Sequence, residues 1–394
     1  IILFMKKEKI EISSEGYIAK SGITIKEGHM TPEALLAFGR LSDPQVSPDG
    51  KHIMYGVSYT STEENRSVRN LFICKLDGSD NQQLTTSGKS ISNARWSADG
   101  KHVAFLMGGQ VWTAAIAEKN GSWELTDIRQ ATDIPAGVGE FKISPDEKKV
   151  MYISYVKSDV KSPTDCYSDL DKATAYETDD LMYRHWDHTV MEIPHTFVAD
   201  FDFDGKEILE GEAELYELPT EPFGGLEQLA WSPDSRYIAY SCRKLTGKKY
   251  AFSTNTEIYI YNVETAETAV IDMKGGYDTD PVWSPDGSKI CWVSMERDGY
   301  EADKQRLMVA SVTWNGGSMP VIGDIKDITA GFKYNVSGPA WTADSKGIYF
   351  ASLAEGLQGM FEAVCDGGEW KIERLTGEDM WYDFGSPFHI EESA

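Results

Sequence analysis

What the chain lacks narrows its chemistry first. No Gly-x-Ser-x-Gly elbow occurs, so these residues hold no hydrolase nucleophile of that class. Neither a His-Glu-x-x-His motif nor a phosphate-cradling P-loop occurs. Cysteine is scarce: Cys74, Cys166, Cys242, Cys291 and Cys365 are far apart, with no Cys-x-x-Cys pair and no zinc spacing. Four of the five lie in strand-like runs such as Phe72-Ile73-Cys74, where buried free thiols are expected. Basic residues are outnumbered 38 to 63 by acidic ones, for a net charge of −25 and a pI near 4.7. With no Lys/Arg cluster, that balance excludes a nucleic-acid groove and favours positively charged ligand groups. No apolar run reaches 18 residues, the length a membrane-spanning helix needs. The opening Ile1-Ile2-Leu3-Phe4-Met5-Lys6-Lys7 is too short an apolar run for a signal peptide, and a start at Met5 would make the protein cytoplasmic.

What is present in excess is one five-residue phrase. It reads Val46-Ser47-Pro48-Asp49-Gly50, Trp96-Ser97-Ala98-Asp99-Gly100, Ile143-Ser144-Pro145-Asp146-Glu147, Trp231-Ser232-Pro233-Asp234-Ser235, Trp283-Ser284-Pro285-Asp286-Gly287 and Trp341-Thr342-Ala343-Asp344-Ser345. The Pro/Ala positions are spaced by 50, 47, 88, 52 and 58 residues. A period near fifty, with strand patterns on both sides, is that of a propeller blade. Within each copy Pro presets φ for a type I turn, Ser and Asp can bond nearby backbone N–H groups, and Gly accepts the exit conformation. The Trp, Val or Ile ahead of the turn is sized to pack between blades. These residues are expected to hold the fold and to do no chemistry.

The fold class expected is therefore all-β: a β-propeller of the TolB/WD40-like type, with six recognisable blades and the start of a seventh at Trp381-Tyr382-Asp383. Residues 1–30 read as a polar arm and 31–394 as the propeller. Thr31-Pro32-Glu33 caps a short helix, Thr as N-cap and Pro at its first position. The long gap of 88 is explained by an insertion, 157–194, ahead of a third strand at His195–Ala199. A ring ending inside a blade has open edges, so the chain is expected to be a fragment.

In an antiparallel blade, successive connections alternate between the two faces of the disc. The insertion 157–194, the loop 243–256 and the loop 295–306 all join a second strand to a third, so they leave the same face. That face is expected to bind the ligand. Within it, Glu296-Arg297-Asp298-Gly299-Tyr300-Glu301 suits capture of a ligand amine by a carboxylate and of a carbonyl by Arg. Glu296, Glu301, Arg297 and Arg243 are the candidates. Asp200–Gly205 imitates the opening of a calcium loop, but its twelfth position is Gly211 and lacks the bidentate acid. His185-Trp186-Asp187-His188 with His195 could be read as metal ligands, though a packed polar loop fits this Asp- and Tyr-rich insertion better. No metal and no cofactor are expected.

Met30-Thr31-Pro32-Glu33-Ala34-Leu35 leading into the Ser-Pro-Asp-Gly repeats resembles the N-terminal propeller of prolyl-oligopeptidase-family (S9) serine peptidases. Leu181–His188, Phe197–Asp200 and Ser294–Glu301 resemble its dipeptidyl-peptidase and acylaminoacyl-peptidase-like branch, especially the Bacteroidetes members. The resemblance covers roughly residues 30–390. It implies a substrate-gating propeller of a serine exopeptidase that releases short N-terminal peptides. It also implies a C-terminal α/β-hydrolase domain in the parent, which this chain lacks, so that the chain alone is expected to be inactive. A peptide substrate and a periplasmic or secreted location follow in the same way, and the chain is also compatible with a homodimer. The competing expectation is a stand-alone TolB-like propeller that binds a protein or a carbohydrate.

Overall fold

The computed structural model describes residues 11–23, 29–158, 160–179, 184–186, 188–200, 206–208 and 215–378. The chain separates into two compact units, one through Phe141, to which Asp200 also belongs, and one from Lys142 onward. The architecture is all-β. Six four-stranded antiparallel sheets follow one another among the described residues. The first sheet is Arg40–Val46, His52–Ser61, Arg66–Lys75 and Gln82–Gln83. The second is Ile91–Trp96, His102–Met107, Gln110–Lys119 and Ser122–Gln130. The third joins Glu140–Ile143 and Lys149–Lys157 to Glu192–Asp200 and Lys206–Glu207. The insertion therefore separates the second and third strands of one sheet, as the spacing predicts. The fourth is Leu229–Trp231, Tyr237–Cys242, Glu257–Asn262 and Thr268–Ile271. The fifth is Tyr277–Trp283, Lys289–Met295, Arg306–Thr313 and Val321–Asp327, and the sixth is Ser337–Trp341, Gly347–Ala354, Leu357–Asp366 and Glu369–Arg374. The start of a seventh copy lies outside the described residues.

The repeated phrase acts as its chemistry requires. In every copy the Ser or Thr hydroxyl donates to the Asp carboxylate two residues on, at 2.6–2.8 Å. The same hydroxyl accepts the N–H five residues on, for example Ser284 Oγ from Lys289 at 2.9 Å. The fourth turn position is left-handed in all six: Gly50, Gly100, Glu147, Ser235, Gly287 and Ser345. The departures from Gly at 235 and 345 have a reason. Ser235 Oγ accepts from Asp146 N at 3.0 Å, and Ser345 Oγ accepts from Asp286 N at 3.1 Å, so each ties its turn to a turn of another sheet. The preceding Trp also bridges sheets: Trp96 donates to Gln45 O, Trp231 to Lys142 O and Trp341 to Val282 O.

A second repeated device goes beyond the sequence expectations. Four residues before the turn Ser or Thr, the first strand bulges, with Asp43, Asn93, Asp280 and Gly338 at φ near +50. Asn, Asp and Gly are the residues that tolerate this conformation. Interleaved apolar side chains fill the space between sheets, with Trp292, Tyr237, Tyr240, Phe350 and Met151 fully buried. Helix Pro32–Ala37 is capped by Thr31, whose Oγ1 accepts Ala34 N at 3.2 Å. Cys74, Cys242 and Cys291 are buried free thiols, Cys365 is half-buried and Cys166 exposed.

Gly287 sits at φ +69 with open space where a Cβ would go, so its cost on substitution is purely conformational. Gly287→Ala is expected to destabilise by about 1–2 kcal/mol, seen as a lower urea midpoint with an unchanged slope. An unchanged midpoint would remove the left-handed turn from the account of the repeat.

Candidate functional site

The site is built in the second unit, where three second-to-third-strand connections meet. The insertion contributes a small hairpin, Arg184–His185 paired with His188–Thr189. The connection after Tyr237–Cys242 contributes Arg243 and helix Gly247–Phe252. The connection after Lys289–Met295 contributes the acidic loop. Asp298 of that loop accepts from Ser253 Oγ at 2.8 Å and Thr254 N at 2.7 Å, and Gly299 N donates to Thr254 Oγ1 at 2.8 Å. Gly276, at φ +111, lets the backbone pass beneath: a Cβ there would come within 2.2 Å of Met295 O. The loops 243–256 and 295–306 are thus bonded directly to each other, while the insertion hairpin is linked to helix Gly247–Phe252 through Glu217.

The four sequence candidates divide into held and open groups. Arg297 makes a bidentate pair with Asp303, Nε–Oδ2 3.1 Å and Nη2–Oδ1 2.9 Å, and lies 4.1 Å over the Tyr300 ring. Its pairing holds the Asp303 carboxyl down at about 2. Arg297 is therefore paired with Asp303 and with neither candidate acid. Glu296 stands 3.6 Å from Arg306 and is largely exposed, and Glu301 is exposed. Arg243 stacks its guanidinium 4.4 Å over the Tyr250 ring, and its Nε is buried with no hydrogen-bond partner among the described residues.

At the centre lies a group the sequence did not announce. Glu217 is buried, 1% exposed, and its carboxylate collects three donors. His185 Nε2 meets Oε1, while Tyr250 Oη and Glu221 N, the latter at 3.1 Å, both donate to Oε2. Burial, and then the Glu217 charge, push the Tyr250 phenol well above its usual range, so it stays a donor. One carboxylate thereby joins the insertion hairpin, the 217–224 turn and the helix of the next sheet. His195 bonds a different acid, Glu207, at 2.5 Å, so His185 and His195, two of the three histidines weighed as metal ligands, sit in separate pairs. Among the described residues no group of three or more His, Cys, Asp or Glu is placed to hold a metal. The calcium-like stretch 201–205 and Gly211 lie outside the described residues.

A second buried acid, Asp278, lies on the first strand of the fifth sheet. Trp292 Nε1 donates to its Oδ1 at 3.0 Å. Burial lifts its carboxyl to about 7, against the pull of hydrogen bonds from Ser294 and Trp292. No helix among the described residues is long and apolar enough to cross a membrane.

In sequence and fold the chain is similar to proteins named as peptidases. No family model matches the chain. Dipeptidyl-peptidase 5 of Porphyromonas gingivalis is 40% identical over 398 aligned positions, covering 96% of this chain and 55% of that protein. The chain thus spans about half the length of the curated relatives it matches. Pyrococcus horikoshii acylaminoacyl peptidase superposes with a TM-score of 0.60 at 15% identity, over 90% of this chain and 48% of that one. The β-propeller domain of the Trilobed protease from Pyrococcus furiosus does so with a TM-score of 0.52 at 14% identity, over 87% of both chains. The shared fold is the β-propeller.

Proposed function

The chain is a homologue of the proteins named dipeptidyl-peptidase 5, and from that premise we propose that it is the propeller domain of a serine exopeptidase, where it gates and positions peptide substrates for a catalytic α/β-hydrolase domain of the same protein. The observation that carries the proposal is the convergence of the insertion hairpin, helix Gly247–Phe252 and the loop 295–306 in one bonded set. An exopeptidase that measures from the N-terminus must hold a free ammonium at a fixed distance from its nucleophile. Glu296 and Glu301 are exposed carboxylates on a loop stiffened by the Arg297–Asp303 pair and by Asp298. A charge-assisted hydrogen bond of that kind contributes about 1.5–3 kcal/mol. Arg243, half-buried with its guanidinium over the Tyr250 ring, is the cation we assign to a peptide carbonyl.

In the complete protein, Glu296→Gln or Glu301→Gln is expected to lower kcat/KM about 10-fold or more for free-amine dipeptidyl substrates and to spare amine-blocked ones. Unchanged kinetics in both variants, on both substrate types, would reduce the loop to a solvated turn.

A further inference from the structure

Trp186 is an unusual residue for its position. It follows His185 at the tip of the insertion hairpin with φ +40. A bulky side chain in the left-handed region is strained by about 1–3 kcal/mol. Hairpin tips that only need to turn use Asn, Asp or Gly there. The side chain does not offset that strain by burial, being 78% exposed. Phe223, 79% exposed, stands beside it with ring centroids 5.9 Å apart.

Both rings are mounted on rigid supports that share one anchor. His185, adjacent to Trp186, is bonded to Glu217. The turn that presents Phe223 is held by Glu221 N to Glu217 Oε2, by Gly224 N to Thr220 O at 2.8 Å and by Thr220 N to Gln228 Oε1 at 2.8 Å. Gly224 is needed in that turn, since a Cβ would come within 2.3 Å of Thr220 O. From the same carboxylate the bonds run on through Tyr250 to helix Gly247–Phe252. Ser253, at the end of that helix, meets Asp298 on the acidic loop. The aromatic pair and the proposed ammonium site are therefore fixed in one framework.

We propose that Trp186 and Phe223 form an apolar subsite that takes a hydrophobic side chain of the peptide substrate. This deepens the peptidase reading and rests on it. The size of the patch selects the occupant. Two rings offer about 300–500 Å² at most, whereas a stable protein partner needs about 800 Å² on each side. One large apolar side chain matches what the two rings can cover. Glu217 acts as a positioning residue, since it touches the supports of both rings.

The test uses the complete protein and dipeptidyl substrates that carry Phe or Gly ahead of the cleaved bond. Trp186→Ala and Phe223→Ala remove exposed rings and leave the core intact. Each is expected to lower kcat/KM about 10-fold for Phe substrates and less than twofold for Gly substrates, with Trp186→Phe intermediate. Equal losses on both substrates, or no loss on either, would overturn the subsite. If the complete protein cleaves no peptide, the peptidase reading fails separately. Calorimetric binding of Phe-Phe against Gly-Gly then decides the subsite alone. A Phe-Phe preference of about fivefold or more that Trp186→Ala abolishes supports it, and absence of that preference overturns it.

Discussion

Glu217→Ala is expected to destabilise the second unit by about 3–5 kcal/mol, the range found when one partner of a buried charged network is removed. The reason is geometric. The substitution leaves His185 Nε2, Tyr250 Oη and Glu221 N without their common acceptor, and each is buried or half-buried, so water does not readily replace it. Glu217→Gln keeps the volume and one acceptor oxygen, and should lose less than half as much. The loss should be local before it is global. Hydrogen exchange is expected to rise first in residues 184–189 and 217–224, because those segments meet at this carboxylate. Urea unfolding of the alanine variant within about 1 kcal/mol of the parent would show that the network is dispensable.

Asp278 gives the fold a pH dependence of definite sign. Its folded carboxyl titrates at about 7 instead of 3.8, with burial as the main cause. The folded state therefore holds the proton more tightly than the unfolded one. Stability from this residue is fully present below pH 3.8 and is lost as pH rises to about 7. At about 1.4 kcal/mol per unit the span amounts to roughly 4 kcal/mol. In Asp278→Asn the loss cannot occur. The variant is expected to gain on the parent by about 3 kcal/mol between pH 4.5 and pH 8, read from paired urea midpoints at the two pH values. Parallel pH profiles for the two proteins would rule out a protonated Asp278. The ionised form also matters for the site: Arg306, bonded to Ser294 at 3.3 Å and 3.6 Å from Glu296, feels the charge of Asp278.

The repeat was legible because its bonds are short in sequence. Ser284 reaches Asp286 and Lys289 within five residues, so the phrase alone specifies the turn. Strand alternation then placed the third strand of the fourth sheet at Glu257–Asn262, and the inserted segment between the second and third strands of the third sheet. The bulge residues Asp43, Asn93, Asp280 and Gly338 carry an equally local signal, a left-handed former four residues ahead of four of the six turns.

The amino-acid sequence by itself determined the sheets, their order and the end of the sheets from which the long loops leave, because turn chemistry and a period of two act over a few residues. It also singled out Glu296, Arg297 and Glu301 as a charged cluster. Only the tertiary structure decided which charges are free. Arg297 is given to Asp303, six residues away but across a loop, and Glu296 is left mostly open. Only the tertiary structure, too, put Glu217 against His185 and Tyr250, thirty-two and thirty-three residues distant on either side. No local pattern marks such a carboxylate, since its partners arrive on separate elements whose meeting depends on the packing of whole sheets.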